Sequence, residues 1–225
     1  MHTFIRIGLL ALAGGALTLP SFAQPAECQA GVRAYTSKNY DDALPALTQC
    51  LSLSIPPEVR AVVFQVRADV YSRSEKYDLA IADEQAAIST IPPNNPWPYI
   101  MLGDYFRKAQ RLDESIAALQ TAMKFDEDGP GSGPGMAVYY HLAQTLHAAK
   151  RYREAIEVMT KGIPKQPDYA YALYQRALSY EALGDRDQAK RDLFRAAELA
   201  PQKGFPPDVA SKFAEYGFTV NVHKD

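Results

Sequence analysis

Apolar and polar positions along this chain follow the 3.6-residue period of amphipathic helices, and the same order of residues returns five times. The stretches KYDLAIADEQAAISTIP, RLDESIAALQTAMKFD, RYREAIEVMTKGIPKQP and GDRDQAKRDLFRAAELAP align on one small residue, namely Ala80, Ser115, Ala155 and Ala189. NYDDALPALTQC puts Ala43 in the same register. Successive anchors stand 37, 35, 40 and 34 residues apart, a period that marks a stacked helical array. Twelve places before each anchor lies a second small residue (Gly31, Ala68, Gly103, Ala143, Ala177), and seven places after it a third (Cys50, Ala87, Ala122, Gly162, Ala196). Two antiparallel helices approach closely only where side chains are compact, so the pattern predicts hairpins with these residues turned across the contact. Tyr71, Phe106, Leu146 and Tyr180 fill gaps on the first helix, while Tyr40, Tyr77, Leu112 and Tyr152 open the second. Pro92, Pro167 and Pro201 end units, since proline cannot continue a helix.

This order of a small residue, an aromatic, a second aromatic, Ala, a large apolar residue, Ala and Pro resembles the tetratricopeptide repeat (TPR) family. Residues 60–93 and 136–202 carry it almost fully, 96–126 well, and 24–57 less well, with Ala34 at the first aromatic place. In the last unit Arg186 stands where an aromatic usually opens the second helix. The resemblance implies an all-α, right-handed superhelical solenoid of about five hairpins, at 24–57, 58–94, 95–128, 136–168 and 169–202, and a C-terminal capping helix and tail at 203–225. FPPDVASKFAEYGF supplies the cap, with Pro at a helix start, Asp208 in the first turn and Gly217 as a stop. A terminal unit needs such a cover for its apolar face. Two stretches depart from the repeat. The glycines and prolines of DEDGPGSGPG, residues 126–135, predict a break in helix there and a Gly/Pro-rich loop over 129–135. FTVNVH near the end reads as a strand with nothing obvious to pair with.

The amino terminus changes the picture of where the protein works. Arg6, an apolar run from Ile7 to Leu19 and the small residues of Ser21-Phe22-Ala23 have the layout of a secretory signal peptide, 1–23, cut after Ala23. The apolar run is too short for the ~20 residues that span a bilayer. A soluble periplasmic protein with no integral membrane segment after cleavage is expected. Charge adds little: 24 Lys and Arg stand against 26 Asp and Glu, which favours neither nucleic acid nor an anionic surface. Export bears on the two cysteines. Cys28 falls early on the first helix of unit one and Cys50 late on the second, neighbouring places in an antiparallel hairpin, which predicts a disulfide clasping the unit. Two buried thiols packed as small apolar residues are the alternative.

Catalytic chemistry finds little footing. His141 and His147 are six apart on one helix and point in different directions, so they cannot share a metal as an i, i+4 pair does. Ser132 lies in a loop without the strand-to-helix setting of a hydrolase nucleophile. Asp126, Glu127 and Asp128 lack the alternating oxygen ligands of a calcium loop. No catalytic residue, metal site or cofactor is expected, and an enzyme with an unrecognised site is the remote alternative.

The family resemblance implies that first helices line an inner wall. It carries onto this chain as Val62, Gln65, Asp69 and Ser72, then Trp97, Ile100, Asp104 and Arg107, then Ala137, Tyr140, Gln144 and His147, then Tyr171, Tyr174, Leu178 and Glu181. Of these, Trp97, Arg107, Tyr140, Gln144, Tyr171 and Tyr174 are the candidate partner-binding groove, since amphipathic aromatics bury much area with few rotors to freeze. Tyr171 and Tyr174 packing between helices, with Trp97 sealing a hairpin end, is the structural alternative. The family's lysine and asparagine clamp on a terminal carboxylate is unmatched: Asp69 and Asp104 occupy the asparagine places, and Gln65 and Ile100 replace the lysine. The expected function is a non-catalytic periplasmic scaffold for a peptide or helix of an envelope protein, monomeric or weakly self-associating. A self-associating structural protein of the envelope is the second reading.

Overall fold

The computed structural model describes residues 25–127 and 135–223; the expected leader, 1–23, and residues 129–134 of the expected loop lie outside the described residues. The chain divides into two compact units between Arg111 and Leu112. The first contains α1 (Ala26–Thr36), α2 (Tyr40–Ser52), α3 (Pro57–Arg73), α4 (Tyr77–Thr90) and α5 (Trp97–Lys108). The second contains α6 (Leu112–Glu127), α7 (Met136–Ala148), α8 (Tyr152–Gly162), α9 (Ala170–Ala182), α10 (Arg186–Glu198) and α11 (Pro207–Glu215). The fold is all-α, and second helices begin where the aromatic or its substitute was placed, at Tyr40, Tyr77, Leu112, Tyr152 and Arg186.

Small residues set the helix contacts. Ala43, Ala68, Ala80, Ala143, Ala155, Ala177 and Ala189 are at most 1% exposed. A Cβ added to Gly31 would lie 2.9 Å from the Leu47 side chain, and one added to Gly162 would lie 2.5 Å from the Cβ of Tyr139. Those helices could not sit as they do with even one more methyl group between them. In the first unit the core runs from Cys28, Val32 and Tyr35 through Leu47 to Val59, Val63, Val66 and Val70. One core of the second unit gathers Leu173, Ala189 and Leu193 around Phe205 and Phe213.

Each hairpin turns in the same way. Lys38, Glu75, Gln110, Lys150 and Gly184 all have positive φ, between 58° and 81°, and all stand five places before their anchors. In each turn the next N–H reaches back to a carbonyl in the last helical turn, as in Asn39 to Ala34 at 2.8 Å and Asp185 to Tyr180 at 2.9 Å, closing a Schellman motif. Four of the five turns thus hold a side chain in the left-handed region, which only glycine occupies without steric cost. Gly184→Ala meets no neighbouring atom, so its effect isolates backbone strain. It is expected to cost about 1 kcal/mol, whereas Lys150→Gly is expected to gain a few tenths. Urea unfolding of the two variants checks the pair, and an unchanged midpoint for Gly184→Ala would count against the assignment.

Two expectations need correction. Helix α6 continues through Glu127, although the reading of DEDGPGSGPG broke the helix from residue 126. Asp126 and Glu127 have no conformational bar to helix; the bar begins with Gly129 and Pro130, because proline restricts itself and the residue before it. The segment FTVNVH, read as an unpaired strand, makes one isolated parallel bridge, between Phe205 and Val222. Phe205 N–H donates to the Asn221 carbonyl at 2.8 Å and His223 N–H donates to the Phe205 carbonyl at 2.7 Å. Its partner was hidden because it is a single residue ahead of α11, with no strand pattern of its own.

Candidate partner-binding surfaces

In the second unit, aromatic rings run in sequence from α7 to the carboxyl-terminal helix. Tyr140 meets Tyr169 edge-on at 5.5 Å, and Tyr169 lies 5.8 Å from Tyr171. Tyr171 meets Phe205 edge-on at 5.2 Å, Phe205 stacks on Phe213 at 4.8 Å, and Phe213 stacks on Tyr174 at 5.8 Å. The offset and edge-on geometries are those that ring quadrupoles favour. Tyr169 enters this series from the turn before α9, where its N–H donates to the Gln166 carbonyl. Burial chiefly raises the pKa of Tyr169, Tyr171 and Tyr174, with the neighbouring Tyr171 adding to the effect on Tyr169 and Asp208 to that on the other two. The phenols therefore stay neutral, able both to donate and to accept a hydrogen bond.

The capping helix claims part of the implied wall. Besides stacking on Tyr174, it brings Lys212 to within 3.2 Å of Glu181, and Tyr216 just beyond it donates its hydroxyl to Glu181 at 3.0 Å. Tyr174 and Glu181 are thus engaged in seating α11. Tyr140, Gln144, Tyr169 and Tyr171 remain half-buried along α7 and the start of α9. His147 lies one turn beyond Gln144, with Nδ1 3.0 Å from the Ser179 hydroxyl and its ring 5.0 Å from that of Tyr152. Burial lowers its pKa, so it is a neutral interhelical residue at physiological pH.

Trp97 and Arg107 belong to the first unit. Trp97 is half-buried at the start of α5, where its backbone N–H donates to Asn95 Oδ1 at 3.1 Å. Arg107 donates to Asp104, which also receives Lys108 at 2.8 Å. Among the wall places implied by the resemblance, Ile100 is wholly buried, and Asp104 and Ser72 are 7% and 6% exposed. These residues build helix contacts more than they present a surface. A cavity of about 180 Å³ in this unit is lined by Val62 and Gln65 of α3, Ala87 of α4, Ile91 and Asn94 of the connection and Pro98 of α5. Its mostly apolar lining, with the amides of Gln65 and Asn94 and the carboxylate of Glu58 among it, suits an aliphatic side chain on an extended backbone.

The acid–base groups that sequence patterning missed lie within the hairpins. Arg67 Nε and a second guanidinium nitrogen grip Asp83 at 2.7 and 2.8 Å, and Arg176 grips Asp192 in the same way at 2.7 Å twice. Each arginine also donates to a threonine of the preceding hairpin, Thr48 at 3.1 Å and Thr160 at 3.2 Å. The signal was present in the register: both arginines precede the small residue of the first helix by one, and both aspartates follow the anchor by three. Among the described residues no group of three His, Cys, Asp or Glu side chains is arranged to hold a metal ion, and no helix is long and apolar enough to cross a membrane.

Comparison with known proteins gives the same fold. Tetratricopeptide repeat models match residues 100–170 and 170–203. Superkiller protein 3 of Saccharomyces cerevisiae is 29% identical over 92 residues, 41% of this chain and 6% of that protein, so the chain spans a small part of that relative's length. Among solved structures, a crystal structure of MamA aligns with a TM-score of 0.64 at 22% identity, covering 75% of this chain and 93% of its own. The crystal structure of YrrB, described as a TPR protein with an unusual peptide-binding site, aligns with a TM-score of 0.62 at 18% identity, covering 84% and 90%. At such identities the likeness to solved structures is one of fold. Family models over residues 100–203, with helices that begin in the expected register, show a tetratricopeptide repeat protein.

Proposed function

We propose that this chain is a non-catalytic adaptor of the periplasm that holds a peptide segment or helix of another envelope protein. The observation that carries the reading is the half-buried tyrosine series Tyr140, Tyr169 and Tyr171, with neutral phenols and Gln144 beside it. Such side chains supply rigid contact area and a polar tip, the composition of interface hot spots. In the first unit, the cavity at Val62 and Gln65 is a separate place for an apolar anchor, with Trp97 at the start of α5. The Cys28–Cys50 disulfide supports an oxidising compartment, in keeping with the leader read at 1–23.

Crosslinked capture from envelope extract tests the reading. Alanine at Tyr140 and Tyr169 together is expected to reduce recovery of the principal partner at least tenfold, with helical circular dichroism unchanged. Folded variants that recover every partner as before would dispose of the tyrosine surface. Self-association is the second reading, favoured by Phe194, 53% exposed on α10, and Leu79, 48% exposed on α4. Light scattering across a concentration series separates the two, because a concentration-independent monomer contradicts assembly through those residues.

A further inference from the structure

Four residues past its anchor, the second helix of a hairpin inserts one large side chain into the core. Leu47, Leu119 and Met159 are wholly buried at that place and Leu193 is 1% exposed. In α4 the same place holds Glu84, also 1% exposed. A carboxyl group thus stands where the repeat calls for a leucine or methionine. Its hydrogen bond is a long one, donated by Gln65 Nε2 to Oε1 at 3.4 Å.

The charged groups around Glu84 are already engaged elsewhere. Asp83, beside it on α4, is gripped by Arg67 of α3. Asp69 of α3 receives Arg73 at 2.6 Å and the Tyr35 hydroxyl at 2.9 Å. From α5 come Tyr105, itself 1% exposed, and Asp104, which holds Arg107 and Lys108. Among these groups, each cation is matched to a carboxylate other than Glu84. An anion at this position would be buried without a counter-charge, whereas a neutral carboxylic acid fills the place of a leucine at the cost of one weakly bonded polar group.

We propose that Glu84 is a proton-dependent latch on the α3–α4 hairpin: the neutral acid completes its core, and loss of the proton loosens it. Gln65 carries the change outward, because it both contacts Glu84 and lines the cavity described above. Burial, reinforced by Asp83 and only partly opposed by Gln65, holds the proton up to about 8, against 4.5 for the free side chain. Between those values the folded state binds a proton that the unfolded state has released. Stability therefore falls as pH rises through this window and levels off above it.

Carbon-13 carboxyl NMR of the purified wild-type protein reads the titration directly. A Glu84 midpoint near 8 is expected, and one between 4 and 5 overturns the proposal. In denaturant titrations the wild-type folding constant for this region is expected to fall up to tenfold per pH unit between pH 5 and 8 relative to Glu84→Gln. Glu84→Leu, the residue of the other units, serves where the glutamine variant does not fold. A wild-type to variant difference that is the same at pH 5 and pH 8.5 also overturns it.

Discussion

Replacing Asp192 with alanine is expected to destabilise the last hairpin by about 3 kcal/mol, the usual result of removing one member of a largely buried ion pair. Side-chain exposure of Arg176 and Asp192 is 19% and 10%, so little solvent is at hand to take over from the lost carboxylate. Arg176 would keep its bond to Thr160 and its place 5.9 Å from the Tyr180 ring, but a guanidinium would remain with its charge unmatched. The repeat itself supplies the control. Where the last unit has Arg176 and Asp192, the fourth has Leu142 and Val158. Arg176→Leu combined with Asp192→Val is therefore expected to recover most of the loss, since a buried pair exchanged for packed apolar groups is often neutral. Urea unfolding of the two singles and the double forms a cycle that isolates the coupling. A loss below about 1 kcal/mol for Asp192→Ala would place this pair with the weak surface bridges.

The same comparison across units explains what could be read from the residues alone. Anchor alanines, opening aromatics and terminal prolines are sorted by size and backbone preference, which repeat with the period and need no knowledge of neighbours. Helix starts at Tyr40, Tyr77 and Tyr152 followed from them. The clasps at Arg67–Asp83 and Arg176–Asp192 did not, because a charged residue one place from a small one normally reads as a solvated face, and only the depth of the hairpin makes it a bond. Glu84 is hidden for the opposite reason: four other units put Leu or Met at its place, so a single carboxylate in that register does not disturb the repeat. At the candidate site, Tyr140 and Tyr171 were legible as amphipathic aromatics. Tyr169 was missed because it precedes its helix, outside the positions that the repeat numbering assigns.

Reducing the bond between Cys28 and Cys50 should have the other large effect, a loss of about 3 kcal/mol centred on α1 and α2. The two Cα atoms are 4.8 Å apart and the residues are 22 apart in sequence, so the bond closes a substantial loop of the unfolded chain. Both residues are wholly buried, within the same core as Val32, Leu47 and Val63. That core joins α1 and α2, which close chiefly on each other, to the facing side of α3, so the cross-link holds together the two helices that it spans. Cys28→Ser with Cys50→Ser is expected to lower the unfolding midpoint and to hasten amide exchange in α1 and α2 far more than in α9 and α10. Because α10 and α11 are seated by Leu193, Phe205 and Phe213, the second unit serves as an internal reference. Equal exchange rates in wild-type and variant α1, or two titratable thiols in the denatured unreduced protein, would remove the disulfide from the account of this end's stability.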